Sequence, residues 1–114
     1  MPSITAILIG KALDGLSARQ AATAQNIANG NTEHYRPIRV TFEDSLRAAA
    51  AKGPDAIAQV TPQTELEPVP AFGSEMRLDL EVATASQTAM RYGALITVLE
   101  SRGALMGAVV NGGR

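Results

Sequence analysis

The single histidine is the first place to look for chemistry. His34 has no cysteine anywhere in the chain to share a metal ion with, and the carboxylates are scattered. Because a protein zinc site takes three or four side-chain ligands, His34 is expected to lie in a solvated turn. The lack of cysteine also excludes disulfides and a thiol nucleophile. The sequence therefore predicts no metal site and no cofactor.

Acid–base catalysis would need two carboxyl groups that face each other. Asp79 and Glu81 are the nearest candidates, but residues two apart on a helix do not share a face. Their charge suits the start of a helix, where it interacts favourably with the helix dipole. The serines have no neighbouring base to activate them. We therefore predict no catalytic residue, no small-molecule substrate and no enzymatic activity.

Composition points to helices packed on helices. The chain has 114 residues and a net charge of −1, which offers no electrostatic footprint for nucleic acid. Only 4 % of its residues are aromatic, so Ala, Leu, Ile and Val must fill the core. No cleavable signal peptide and no membrane-spanning run are expected.

Residues 1–30 are predicted to form a long N-terminal helix. Ser3 is a suitable N-cap, and apolar residues recur at spacings of three and four in the manner of a coiled-coil seam. The apolar members of this seam are Ile9, Leu13, Leu16 and Ile27, and Gln20 and Thr23 are its polar positions. Asparagines and Gly30 follow, and such residues tolerate the left-handed conformation that ends many helices.

Residues 31–74 are predicted to form an extended arm and an irregular middle. Alternation over 38–42 predicts a strand, and 43–52 has high helix propensity. Residues 53–74 hold four of the six prolines. Within them, "AIAQV" and "TELEPV" fit either short edge strands or a flexible linker.

Residues 75–114 are predicted to form a second, longer helix, running from about Glu75 to Asn111. Its apolar positions again alternate at three and four. The seam comprises Val82, Ala85, Ala89, Tyr92, Ile96, Leu99, Met106 and Val110. We predict an all-α fold whose two terminal helices pair as a coiled coil. Because the apolar stripe is wider than one partner helix covers, further subunits are expected to complete the core.

Two segments resemble a known family. The N-terminal one ends in "NIANGNTEHYR", which is similar to the signature of flagellar basal-body rod proteins. The matching residues are Asn26, Ile27, Ala28, Asn29, Asn31, Thr32, Tyr35 and Arg36. The C-terminal one, "LDLEVATASQTAMRYGALITVLESR", resembles the closing helix of the same family, in the form found in its proximal rod members. One departure is Glu33-His34, where the family commonly has Pro-Gly.

The resemblance implies a structural subunit of the bacterial flagellum rather than an enzyme. Such proteins assemble helically into the rod, the drive shaft that crosses the periplasm, after type III export without a cleaved signal. The implied partners are copies of the same chain, other rod proteins, and MS-ring and export-gate components. The resemblance also implies that the arm around Tyr35 and Phe42 reaches a neighbouring subunit. The alternative is a small cytoplasmic helical adaptor or secretion chaperone that acts as a dimer.

Overall fold

Six elements follow one another along the chain. The computed structural model describes residues 3–68 and 76–112, with side chains as far as residue 103. The elements are α1 (Ile4–Ala28), β1 (Ile38–Thr41), α2 (Glu43–Ala50), α3 (Pro54–Ala58), β2 (Gln63–Leu66) and α4 (Leu78–Gly112). The fold is mostly helical, with two long helices, and it is not plainly all-α because β1 and β2 form a small sheet.

The N-terminal helix begins as the sequence predicts. The Ser3 hydroxyl accepts a hydrogen bond from the Ala6 N–H (3.1 Å), which satisfies one of the free donors at the helix start. α1 ends with the C-cap Asn29, as the asparagine cluster predicts, but this residue has φ −103° and is not left-handed. Among the described residues, a positive φ occurs only at His34 (64°) and Gly53 (119°).

The middle of the chain is more ordered than predicted. The strand expected at 38–42 and the helix expected at 43–52 are confirmed as β1 and α2. β1 pairs antiparallel with β2, and Ile38 lies opposite Leu66. Treating "AIAQV" as a strand was wrong, because Pro54 in the first turn after Gly53 begins α3 instead. Ile57 of α3 is completely buried, so this segment supplies core rather than linker.

The apolar core lies between α1 and the middle segment. Its buried members are Leu16, Ala22, Val40, Phe42, Leu46, Ala49 and Ile57. Gly15 makes this packing possible, since a Cβ at that position would collide with the Phe42 ring. Phe42 is therefore held against its own chain's α1, and the sequence-based expectation that it reaches a neighbour does not describe this structure.

The second long helix runs antiparallel to the first. Arg102 of α4 bonds Ser3 at the start of α1, and Glu81 of α4 bonds Asn26 near its end. The result is elongated: the radius of gyration is 18.0 Å, whereas a compact chain of this length has about 13 Å. α4 begins at Leu78, and the predicted start at Glu75 lies outside the described residues.

Candidate functional site

Asn26 is the centre of a buried polar cluster. Its side chain is 0 % exposed and its amide nitrogen donates to the Ile38 carbonyl (2.9 Å) and to Oε2 of Glu81 (3.0 Å). Its amide oxygen accepts from the Ile38 N–H (2.9 Å) and the Tyr35 hydroxyl (2.8 Å). An asparagine amide has two donors and two acceptor sites, and all are used. Asn26 therefore fastens α1 to β1 and α4 at one point.

Glu81 carries the charge of this cluster. It is 1 % exposed, and Arg39 neutralises it through an ion pair of 2.7 Å. Burial acts to lower the pKa of Arg39, but the hydrogen bond and charge of Glu81, together with Glu67, outweigh it and raise that pKa. Burial and then the Glu81 charge raise the pKa of Tyr35, so its hydroxyl keeps the proton that it donates to Asn26.

A second polar cluster joins α1 to the start of α2. Arg19 donates from both terminal nitrogens to the two carboxylate oxygens of Glu43, at 2.7 Å each, and also to the Val40 carbonyl. Its guanidinium stacks 4.9 Å from the centre of the Phe42 ring. The Arg19 hydrogen bond, opposed by burial, lowers the pKa of Glu43 to about 2. Arg91 of α4 lies 4.0 Å from the same carboxylate.

The rest of the asparagine motif lies at the surface and shapes the turn after α1. The Asn29 amide nitrogen donates to the Gln25 carbonyl, and its amide oxygen accepts from the Thr32 hydroxyl (3.1 Å). Arg36 donates to the Glu67 carbonyl beyond β2 (2.7 Å). The remaining motif residues are Ile27, which is half-buried, and Ala28 and Asn31, which are exposed. The structure thus brings Asn26 and Tyr35 together, with the other motif positions around them.

The predicted seam of α1 is largely covered, whereas that of α4 is largely open. Ile9 and Leu16 are buried, and Leu13 is half-buried. On α4 the exposed seam residues are Val82, Ala89 and Tyr92, and the half-buried ones are Ala85, Ile96 and Leu99. Met106 and Val110 lie outside the residues whose side chains are described.

A different set of α4 residues faces α1. Glu81 and Thr88 are buried, Leu95 packs against the apolar core, and Arg102 bonds Ser3. These residues are seven apart, one position before Val82, Ala89 and Ile96. The two stripes share Ala85, Tyr92 and Leu99. Because an α-helix has 3.6 residues per turn, replacing the Glu81 stripe by the Val82 stripe at the contact with α1 would require α4 to rotate about its own axis by roughly 50°.

The two carboxylates that the sequence offered as an acid–base pair do not face each other. Asp79 is exposed and pairs with Arg77 (2.7 Å), while Glu81 is turned inward, so the two carboxylates lie apart. Within residues 3–68 and 76–103, no group of three potential metal ligands occurs. A mainly apolar groove of about 310 Å³ lies between α1 and α4; it is lined by Leu16, Ser17, Gln20, Thr88, Ala89 and Tyr92.

Sequence reasoning missed the partners of Asn26. Glu81 was assigned to helix-start electrostatics, and Arg39 was assigned no role. A signal did exist: Glu81, Thr88, Leu95 and Arg102 recur every seven residues, which places them on one face of α4. Because two of these four are charged, a search for apolar periodicity passes over them.

Comparisons with known proteins do not extend the resemblance drawn from the motif. No known protein family matches the chain, and no curated protein matches it.

In the described part of the chain, neither α1 nor α4 has an apolar stretch long enough to cross a bilayer.

Proposed function

We propose that this protein is a structural subunit of the bacterial flagellar basal body, which assembles into the proximal rod. The proposal rests on one observation above the others. The two segments that resemble rod proteins, separated by the whole middle of the chain, meet at the hydrogen bond between Asn26 and Glu81. The resemblance therefore corresponds to a single structural unit rather than to two unrelated helices. By its sequence pattern the chain resembles the proximal rod protein FlgB.

The outer face of α4 supports a role in assembly. Val82 is 51 % exposed, and Leu78, one turn earlier on the same side of the helix, is 49 % exposed. Ala89, two turns further along this side, is exposed as well. Neighbouring exposed apolar residues that form one stripe are typical of surfaces that partners cover. In the assembled rod, we expect the two long helices to form a coiled coil whose seam includes Val82, Ala89 and Ile96.

The same proposal implies where the protein acts and with what. Copies of this chain, other rod proteins, and the MS ring and export gate are its partners. It reaches the periplasmic rod by type III export, without a cleaved signal, and it binds neither nucleic acid nor a small-molecule substrate. No catalytic activity is part of the proposal.

Genetics tests the assignment directly. A strain that lacks the gene should be non-motile, and electron microscopy of its basal bodies should show no rod. Intact rods in that strain would overturn the proposal.

A surface variant tests the assembly face. Val82→Asp places a charge in the exposed stripe and should abolish rod assembly while the purified chain stays folded. Ala83→Asp is the matched control, because the neighbouring residue is also exposed but points about 100° away. Equal motility in the two variants would exclude Val82 from the assembly face.

The alternative function is a dimeric cytoplasmic adaptor or secretion chaperone. The exposed apolar residues of α4 would suit a dimer interface equally well. Cell fractionation separates the two functions. A rod subunit copurifies with basal bodies, whereas an adaptor stays in the cytoplasm.

A further inference from the structure

The two edges of the small sheet differ in what covers them. At the β1 edge, side chains of α1 take the place of a further strand. The Asn26 amide bonds both the N–H and the carbonyl of Ile38, and Arg19 donates to the carbonyl of Val40. An edge covered in this way is protected against strand addition. α1 therefore closes the β1 side of the sheet.

The β2 edge is open. All four residues of β2, Gln63–Leu66, are exposed. The Glu67 N–H donates to the Pro37 carbonyl, and antiparallel ladders alternate residues that bond across the pair with residues that do not. The N–H and carbonyl groups of Thr64 and Leu66 therefore point away from β1. In the described part of the chain, these groups have no other hydrogen-bond partner.

Two prolines set the length of the open edge. Pro62 lies two positions before Thr64, and Pro68 lies two positions after Leu66. A strand that continued past either end would find no outward N–H there, because proline has none. Pairing through both donor and acceptor is thus confined to Thr64 and Leu66, which suits a partner segment of about three residues.

The side chains of β2 favour a basic partner. Glu65 is exposed and has no ion-pair partner among the described residues. Arg39 lies directly opposite it in the sheet, but the Arg39 guanidinium pairs with Glu67 and Glu81 instead. Leu66 is 56 % exposed, and it lies on the other face of β2, since neighbouring residues of a strand point to opposite faces.

The strand already paired with β2 shows which sequence suits it. Three of its residues are apolar, basic and apolar in turn: Ile38, Arg39 and Val40. They lie opposite the residues that define the open edge, namely Leu66, Glu65 and Thr64. Apolar and opposite-charge pairs across strands stabilise a sheet. Because β2 presents the same side chains to a neighbour on either edge, the pattern that fits one edge also fits the other.

A second copy of this chain fits the open edge poorly. If two β2 strands paired so that Thr64 of each bonded Leu66 of the other, the two Glu65 side chains would face each other. Like charges directly opposite are destabilising. The β1 strand of another copy is already held between its own β2 and the side chains of its own α1. The occupant is therefore a different protein.

We infer that β2 is a docking edge for an extended segment of another protein whose central residues are apolar, basic and apolar. The segment adds antiparallel to β2 as a third strand, and Thr64 and Leu66 supply the backbone hydrogen bonds. Its basic side chain lies opposite Glu65 in a non-hydrogen-bonded pair, where facing side chains are closest. Its two apolar side chains lie on the face of Leu66. The docking edge does not depend on the rod assignment.

An NMR titration of the full chain with a short peptide tests the docking edge. The probe is acetyl-Pro-Ile-Arg-Val-Thr-amide, which has the sequence of residues 37–41, and the control peptide has Glu in place of Arg. The Arg peptide should shift the amide resonances of Thr64 and Leu66 and slow their exchange with water by at least about threefold. The Glu peptide should bind about fivefold more weakly. Equal binding of the two peptides, or shifts centred on Ile38, would overturn the inference.

Substitutions in β2 locate the site. Glu65→Arg, at an exposed position, should reverse the preference, so that the Glu peptide binds more tightly than the Arg peptide. Thr64→Pro removes an outward N–H that pairing with β1 does not use, and it should abolish binding of the Arg peptide. Thr64→Val is the matched control, because it keeps this N–H and should bind like the parent chain. An unchanged preference in Glu65→Arg would contradict the docking edge.

The chain without peptide distinguishes the remaining occupant. The exchange rates of the Thr64 and Leu66 amides should not change as the protein concentration is raised. Slower exchange of these two amides at higher protein concentration would show that β2 pairs between copies, and it would overturn the assignment of this edge to a different protein.

Discussion

The amide nitrogen of Asn26 lies 3.0 Å from the carboxylate of Glu81, across 55 positions of sequence. This bond connects the last turns of α1 to the first turn of α4 in the interior of the protein. Arg39 pairs with the far oxygen of the same carboxylate, and Tyr35 closes the other side of the amide. A buried charge costs less when it is paired and fully hydrogen-bonded, so the cluster specifies one arrangement of the two long helices.

Asn26→Asp should be strongly destabilising. The change replaces a donor with a second carboxylate beside Glu81, inside the protein, where like charges repel and desolvation is costly. We expect a loss of roughly 3 kcal/mol in the free energy of unfolding, measured by urea denaturation at pH 7. The control is Asn31→Asp, at an exposed position of the same motif, which should change stability by less than about 0.5 kcal/mol. Similar losses in both variants would show that the buried bond to Glu81 is not the cause.

Gly15→Ala should disrupt the core. The added methyl group would collide with the Phe42 ring, which is buried and cannot swing into solvent. Overpacking of this kind costs roughly 1–3 kcal/mol. Gly10→Ala is the control on the same helix, since nothing lies within 4 Å of a Cβ there, and it should stabilise the protein by roughly 0.5–1 kcal/mol. Thermal unfolding of the two variants should move in opposite directions from the parent, and a shift in the same direction would contradict this packing.

Local signals predicted the helices well. Ser3 caps α1 as expected, and the helix propensity of 43–52 correctly indicated α2. These features depend on neighbours within one or two turns, which a sequence displays directly. The strand or linker predicted for "AIAQV" was wrong, because Pro54 begins a helix there and proline is favoured in the first turn. Ile57 then became the most buried residue of the core.

Long-range pairing could not be predicted in the same way. Nothing near Asn26 in sequence indicates that Glu81 is its partner, because that contact depends on the antiparallel packing of α1 and α4. The face of α4 was also predicted from apolar periodicity alone. The structure instead turns Glu81 and Thr88 inward, since Asn26 and Arg39 provide hydrogen bonds and charge that offset the burial of Glu81. The Val82 stripe lies beside this contact, largely in solvent.

Acid should weaken the junction of α1 and α2 through Glu43. The pKa of Glu43 is lowered to about 2 in the folded protein, from an ordinary value of 4.5. A lowered pKa contributes stability above pH 4.5, and that contribution disappears as the pH falls from about 5 towards 2. Because Glu43 is partly exposed, we expect solvent screening to reduce it to about 1 kcal/mol. Relative to the parent, Glu43→Gln should lose stability at pH 7 and much less at pH 2.5.

The neighbouring residue supplies the control for this pH dependence. Asp44 is almost fully exposed, and its ion-pair partner among the described residues is the exposed Arg47. Asp44→Asn should therefore track the parent chain between pH 7 and pH 2.5. If the stability difference between Glu43→Gln and the parent were the same at both pH values, the Arg19–Glu43 pair would not be the source of the acid sensitivity.

The last prediction concerns the turn between α1 and β1. His34 has φ 64°, a left-handed backbone conformation that costs a non-glycine residue roughly 1 kcal/mol. The Tyr35 N–H donates a hydrogen bond to the Thr32 carbonyl (3.2 Å), which closes the turn. The His34 ring is exposed, and replacing it with glycine would relieve the backbone without opening a cavity. Glycine also makes the unfolded chain more flexible, which offsets part of the gain. We therefore expect His34→Gly to stabilise the protein by about 0.5 kcal/mol in urea denaturation.

Glu33→Gly is the control. Glu33 has no positive φ for glycine to relieve, so this variant should be neutral or destabilising. Loss of stability in His34→Gly would mean that the histidine side chain, rather than the backbone angle, determines the shape of this turn.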